Sequence, residues 1–281
     1  MLRARVVPCR GLSLLECLVG LALGLVIVAA VAAQYVATGQ SARLQAAQSQ
    51  MTEDAQIALQ LLSSELMMAG YARPQALVQG ADGKPRWQTA LQSEPPLRAC
   101  DAGFVSPAST TEALCAGSGS TAAFEVRYQA DEFNTVPLSG STRPSDCLGN
   151  GLNASAGGYF TSNRWYVAIS QGRSELRCAS QLGNPGQPLV DNVEALALWF
   201  AEAQSSEAEL PARYVRASQV ISFARVRSVR LCLLMRSTDA VLAAEDAATY
   251  LDCDGVTQTS VDRRLRRAFH TTVALRNRSG A

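Results

Sequence analysis

The hydrophobic pattern is densest near the start of the chain. From Cys17 to Ala33 there is no charged or strongly polar side chain, and extended back to Leu12 the run is 22 residues, interrupted only by Ser13 and Glu16. At about 1.5 Å per residue this makes roughly 33 Å of helix, enough to cross a hydrocarbon core of about 30 Å. Residues 12–33 are therefore expected to be a membrane helix. Beyond Ala33 the apolar character narrows to a single stripe without a break. Small or apolar residues recur three or four apart at Leu44, Ala47, Met51, Ala55, Ala58, Leu62, Leu66 and Ala69, the spacing of one helical face. Gln, Ser and Thr with Arg43, Glu53, Asp54 and Glu65 fill the other faces. No proline falls between Pro8 and Pro74, and Gly70 stands where a helix C-cap would. One helix is predicted from Leu12 to Ala69. Its second half, residues 34–70 with the cap, is amphipathic and needs a globular body to cover the stripe.

Past Tyr71 the pattern changes. Residues 71–120 are rich in Gly, Pro, Ala, Ser and Gln and read as an irregular connecting loop containing short strands or turns. A period of two follows, with Phe124, Val126 and Tyr128 alternating with Glu125 and Arg127. Residues 139–158 read as a loop, and Trp165, Val167 and Ile169 as a strand. Gln171-Gly172 marks a hairpin into Ser174–Cys178, and Asn184-Pro185-Gly186 a further turn. Val193–Phe200 has the apolar run of a buried strand, with a helical start expected at Asp191. The clearest strand is Val226–Met235, with Val229, Leu231, Leu233 and Met235 on one face. Phe269, Thr271, Val273 and Leu275 define another. A long helix followed by antiparallel strands gives an α+β class, with residues 71–281 forming the body on which the helix packs.

The net charge of +1 names no partner, but its distribution is uneven. Residues 213–281 hold 12 arginines against 6 acids, and residues 1–212 hold 13 basic against 18 acidic groups. Arginines that alternate with apolar residues read as the wet side of an antiparallel sheet, so nucleic acid is not an expected partner. Arg3, Arg5 and Arg10 precede the apolar run and favour a cytoplasmic N-terminus, which puts the body in the periplasm. Disulfides form there. Besides Cys9 and Cys17 there are six cysteines, Cys100, Cys115, Cys147, Cys178, Cys232 and Cys253. Six cysteines allow 15 connectivities. Local pairing of Cys100 with Cys115, Cys147 with Cys178 and Cys232 with Cys253 is the expectation, each bridge worth about 3 kcal/mol. No Cys-x-x-Cys occurs and His270 is the one histidine, so neither a metal site, a cofactor nor a Ser-His-Asp set is expected. Gly117-Ser118-Gly119-Ser120 lacks the Gly-Lys-Ser/Thr ending of a phosphate loop, and Asp252-Cys253-Asp254-Gly255 reads as a tight turn. The chain is not read as an enzyme.

One motif joins these observations. Gly11-Leu12-Ser13-Leu14-Leu15-Glu16, behind a short leader with three arginines and no acid, resembles the processing site of type IV prepilins. The resemblance implies a leader of residues 1–11 and cleavage between Gly11 and Leu12 by prepilin peptidase. It further implies N-methylation of Leu12, and Glu16 as the fifth mature residue. Leu12 stands where that family most often has Phe, and the helix lacks the proline of many major pilins. Ala29–Ala33 could pass for a signal-peptide cut, but Glu16 at the start of the apolar run argues against it. Leu66-Met67-Met68-Ala69-Gly70-Tyr71, Val229–Ser237 and Arg264–Arg278 resemble PilW-type minor pilins. That resemblance implies a pilin-like fold and a minor pilin that starts pilus assembly with other minor and major pilins, near the tip. Before assembly it would sit in inner-membrane lipid as a single-pass protein, and afterwards in the pilus at the cell surface. A pseudopilin of a type II secretion system shares the same N-terminus. A membrane-anchored periplasmic binding module or enzyme with a fortuitous Gly-Leu-x-x-x-Glu is the reading from another class.

Overall fold

A run rich in Leu, Ala and Gln and free of proline produces one helix, α1, Leu14–Met68, of 55 residues in a computed structural model of the chain. The structure describes residues 11, 13–80, 83, 85–91, 95–205, 210–243 and 248–277. The predicted leader, residues 1–10, and Leu12 lie outside them. Contacts divide the chain into two units, one up to Ala46 and one from Ala47 onward.

In the first unit the large apolar side chains of α1 from Leu14 to Val36 are exposed all round. In the second the helix buries Met51, Ala55, Ala58, Leu62 and Leu66, followed by Ala69. Burial of each leucine is worth about 1.5–3 kcal/mol. The helix stops at Gly70, which takes φ +76°, a left-handed conformation that costs any residue with a Cβ. The Gly70 N–H donates to Arg127 O at 2.9 Å and the Tyr71 N–H to Met68 O at 2.9 Å. Asn277 reaches the same spot and donates Nδ2–H to Met67 O at 2.7 Å, satisfying a helix-end carbonyl. A Cβ on Gly70 would fall on the carbonyl oxygen of Asn277. Gly70→Ala should therefore lower stability by about 1–3 kcal/mol in denaturant unfolding. An unchanged midpoint would mean that the C-terminal segment is not seated there.

Fourteen strands follow among the described residues. The connection 71–120 carries the hairpin β1 (Ala76–Gln79) and β2 (Pro85–Gln88), then β3 (Leu97–Cys100). Next come β4 (Ala123–Ala130), β5 (Ala154–Ser155), β6 (Gly158–Ser170), β7 (Arg173–Ser180) and β8 (Gln187–Asp191). The rest are β9 (Val193–Ala203), β10 (Pro211–Val215), β11 (Val226–Arg236), β12 (Thr249–Leu251), β13 (Thr257–Thr259) and β14 (Arg266–Ala274). One sheet runs β3-β4-β6-β7-β8 with β5 beside β6, and a second runs β10-β9-β11-β14, all antiparallel. The hairpin β12–β13 stands apart.

Local chemistry explains several joints. Gln171 (φ 51°) and Gly172 (φ 77°) both take positive φ, as a two-residue turn between twisted strands requires, and β6 returns as β7. At Asp191 the predicted helical start is absent. β8 ends there, Asn192 turns through φ 63° and β9 begins at once, because both flanks are already paired into sheets. The four residues Val229, Leu231, Leu233 and Met235 are fully buried, with Leu231 opposite Leu198 on β9 and Thr271 on β14. They share one core with the α1 stripe and with Leu97, Phe124, Val126, Trp165, Leu176 and Phe200.

Candidate functional site

The start of α1 is organised by two side chains. The Glu16 N–H donates to Ser13 Oγ at 3.3 Å, and the Ser13 N–H donates back to Glu16 Oε2 at 2.9 Å. This reciprocal pair satisfies two of the helix's orphan donors, and a carboxylate in the first turn also complements the helix dipole. The sequence reading missed this role, although the Ser-x-x-Glu spacing announces it. Gly11 is exposed just before this cap, and Leu12 lies outside the described residues. Glu16 is exposed too, so a stronger donor could take its carboxylate from the local backbone. Among the described residues α1 is the one helix long and apolar enough to cross a membrane.

Three disulfides fasten the body: Cys100–Cys115, Cys147–Cys178 and Cys232–Cys253, with Cα–Cα distances of 5.3, 6.4 and 5.8 Å. They pin the loop after β3, the loop between β4 and β6, and the turn of the β12–β13 hairpin. Cys17, in the apolar half of α1, is free and exposed.

The polar residues of the body depart from the pattern read in the sequence. Glu65, assigned to a solvent face of the helix, turns its carboxylate into the body. It accepts Asn163 Nδ2–H at 3.2 and 3.1 Å and the Tyr128 hydroxyl at 3.5 Å. Asn163 is wholly buried and Tyr128 nearly so, although the Glu65 residue as a whole keeps some access to water. Burial pushes its carboxyl up to about 7 against those hydrogen bonds, and Asp146 adds to the rise. Asp54, three turns earlier, is half-buried, and its carboxyl is raised first by burial and then by Asp191 and Glu53.

Glu125 and Arg164 face each other across β4 and β6 as a buried pair, Nε to Oε1 3.3 Å, where alternation predicted a wet Glu125. Arg227 is buried as well, donating to Ala224 O at 3.2 Å and Ser205 O at 3.4 Å, so the arginines beside β11 are not all on a wet face. Arg230 is exposed and stacks over Tyr214 at 4.9 Å. Arg266 clasps Glu194 at 2.6 and 2.8 Å and Asp262 at 2.6 and 2.9 Å. The guanidinium holds the Asp262 carboxyl well below the usual range. In the 252–255 turn Asp252 accepts the N–H groups of Asp254 and Val256 and the Gln258 amide, so its oxygens are used within the turn. Among the described residues no group of three or more His, Cys, Asp or Glu is arranged to hold a metal ion.

The helix is thus apolar on every side in its first half, and in its second it carries a stripe buried against antiparallel sheets. Over residues 164–277 the chain matches the family described as Type IV Pilus-assembly protein W. This region runs from within β6 through β14 and covers Val229–Ser237 and all but the last residue of Arg264–Arg278. Among solved structures, the type IV-like pilin TTHA1219 from Thermus thermophilus aligns with a TM-score of 0.39 at 13% identity, over 81% of this chain and 97% of that one. No curated protein matches the chain.

Proposed function

We propose that the chain is a minor pilin of a type IV pilus that helps to start pilus assembly together with other minor pilins and resides near the tip. The observation that carries this reading is the Gly11-to-Glu16 spacing at the head of an apolar helix, in a chain whose C-terminal part matches the PilW family. The uncovered surface of residues 14–36 is stable in lipid or among other apolar helices, and in water it is not. Residence in the inner membrane, with the body in the periplasm, followed by transfer into a filament core, keeps that surface dry throughout.

Prepilin peptidase would cut between Gly11 and Leu12 and leave a methylated α-amino group on Leu12. In an apolar filament core an unpaired carboxylate or ammonium is costly, so the amine of a neighbouring subunit and the Glu16 carboxylate would seek each other. Glu16 would exchange its backbone partner at Ser13 for a charged one, and this exchange would set the stagger between subunits.

The test has two arms. Mass spectrometry of the protein from membranes should find Leu12 as the first residue when the peptidase is present, and the residues up to Gly11 still attached when it is absent. Glu16→Ala should be cut normally yet enter pili at least about tenfold less, since breaking a desolvated pair is costly. A leader that persists in a piliated strain, or normal incorporation of the Ala variant, counts against the proposal.

A further inference from the structure

The seam between the second half of α1 and the body has a chemical peculiarity. An apolar stripe does most of the packing, but the acids that flank it meet other acids. Glu65 points at Asn163 on β6 and Tyr128 on β4, and the negative charge of Asp146 in the β4–β6 loop acts on it. Asp54 lies near Asp191, the last residue of β8, and beside Glu53 on its own helix. Among the described residues neither Asp54 nor Glu65 makes an ion pair with an arginine. A seam designed only for strength would place a base opposite these acids.

The hydrogen bonding around Glu65 fixes what it can accept. Asn163 Oδ1 is occupied by the Thr161 hydroxyl at 2.9 Å and the Cys147 N–H at 3.2 Å. Its amide group must therefore aim Nδ2 at Glu65, where it also lies 3.3 Å from the Tyr128 oxygen. The site offers neutral donors and no positive charge. A neutral Glu65 accepts from Asn163 and from the Tyr128 hydroxyl, with the buried Trp165 indole N–H beside it, and brings no charge into the seam. An ionised Glu65 accepts the same bonds while its charge faces Asp146 in a desolvated place. Water solvates that charge better, and undocking the helix gives access to water.

We propose that the α1 seam is a proton-operated latch: Glu65, with Asp54 assisting, holds the second half of the helix on the body when protonated and loosens it when ionised. The sign follows from the raised carboxyls. In the undocked chain Glu65 titrates near its ordinary value of 4.5, and when docked near 7. The docked state therefore holds the proton longer. The stabilisation is fully present below about 4.5 and is lost as the pH rises through about 7. Asp54, raised in the same direction by burial and by Asp191 and Glu53, acts with the same sign. The latch works whatever the chain assembles into.

The test uses the full-length chain in detergent micelles. Amide hydrogen exchange of residues 47–68 is followed at pH 5.5 and pH 8, corrected for the intrinsic pH dependence of exchange. In the unmodified protein the opening constant of this segment should rise between the two by about thirtyfold if the full displacement of the carboxyl is realised. Glu65→Gln keeps the size and the acceptor but cannot ionise. It should abolish most of this rise and leave the segment as protected at pH 8 as the unmodified protein is at pH 5.5. Adding Asp54→Asn should flatten the remainder. An unmodified protein that shows no rise overturns the proposal, and so does a Gln variant that retains it. Thermal unfolding of Glu65→Gln and of the double variant at both pH values guards against a folding defect: Glu65→Gln should melt higher than the unmodified protein at pH 8, and a lower melting point there overturns the latch as well.

Discussion

Replacement of Arg164 by alanine is expected to lower the unfolding free energy by about 3–5 kcal/mol, the cost of leaving one member of a buried ion pair alone. Arg164 is 1% exposed and Glu125 4%. Truncation strands the Glu125 carboxylate, which among the described residues keeps the Ser162 hydroxyl as its side-chain donor. It also strands three carbonyls that the guanidinium collects from the loop after β3: Pro107 O at 3.1 Å, Ser109 O, and Thr111 O at 2.5 Å. The loop stays tethered by Cys100–Cys115, so the molecule should remain folded while exchange around residues 105–114 accelerates. Replacing both partners, Arg164→Met with Glu125→Leu, should recover part of the loss, because two uncharged side chains leave no orphaned charge. It should not recover all of it, since the three carbonyls remain bare. A single variant that loses less than about 1 kcal/mol would show that water reaches the pair.

Removing Cys147–Cys178 is expected to have the next largest effect, about 3–4 kcal/mol in the chain-entropy account. The bridge spans 31 residues, against 21 for Cys232–Cys253 and 15 for Cys100–Cys115, so it restricts the unfolded chain most. Cys178 is fully buried on β7, and the Cys147 N–H rests on Asn163. Loss of the bridge therefore frees the β4–β6 loop beside the Glu65 seam. The double replacement Cys147→Ala, Cys178→Ala should lower the denaturant midpoint, and a reductant should lower that of the unmodified protein at least as far. A midpoint indifferent to reductant would mean that the bridges do not form.

The elements whose signal is local were legible from the chain alone. The α1 stripe repeats every three or four residues and needs no knowledge of its partner, so Met51, Ala55, Ala58, Leu62 and Leu66 could be assigned before the body was known. The Gln171-Gly172 turn and the Gly70 stop were equally visible, because positive φ is a property of one or two residues. Glu65, Asp54, Glu125 and Arg227 were misread for a common reason. Each is polar in a periodic segment, and polarity was taken to mean water. β4 lies between β3 and β6 and is buried on both faces, so its alternation separates two interior sides rather than an inside from an outside. The Asp191 start of a helix failed likewise, since a strand and a helix of that length carry the same apolar run and only pairing decides between them.

By itself the chain determined where the oily helix begins, where it narrows to one stripe and where it stops. These depend on neighbours a few positions apart, and the same side chains would act in any fold. The tertiary structure alone decided which charges are dry. Whether a carboxylate meets water, an arginine or another carboxylate depends on residues brought together from far along the chain, as Asn163 and Tyr128 are brought to Glu65 from 98 and 63 positions away. No short-range pattern encodes that meeting, and the energy of a charge depends on it more than on anything beside it in the chain.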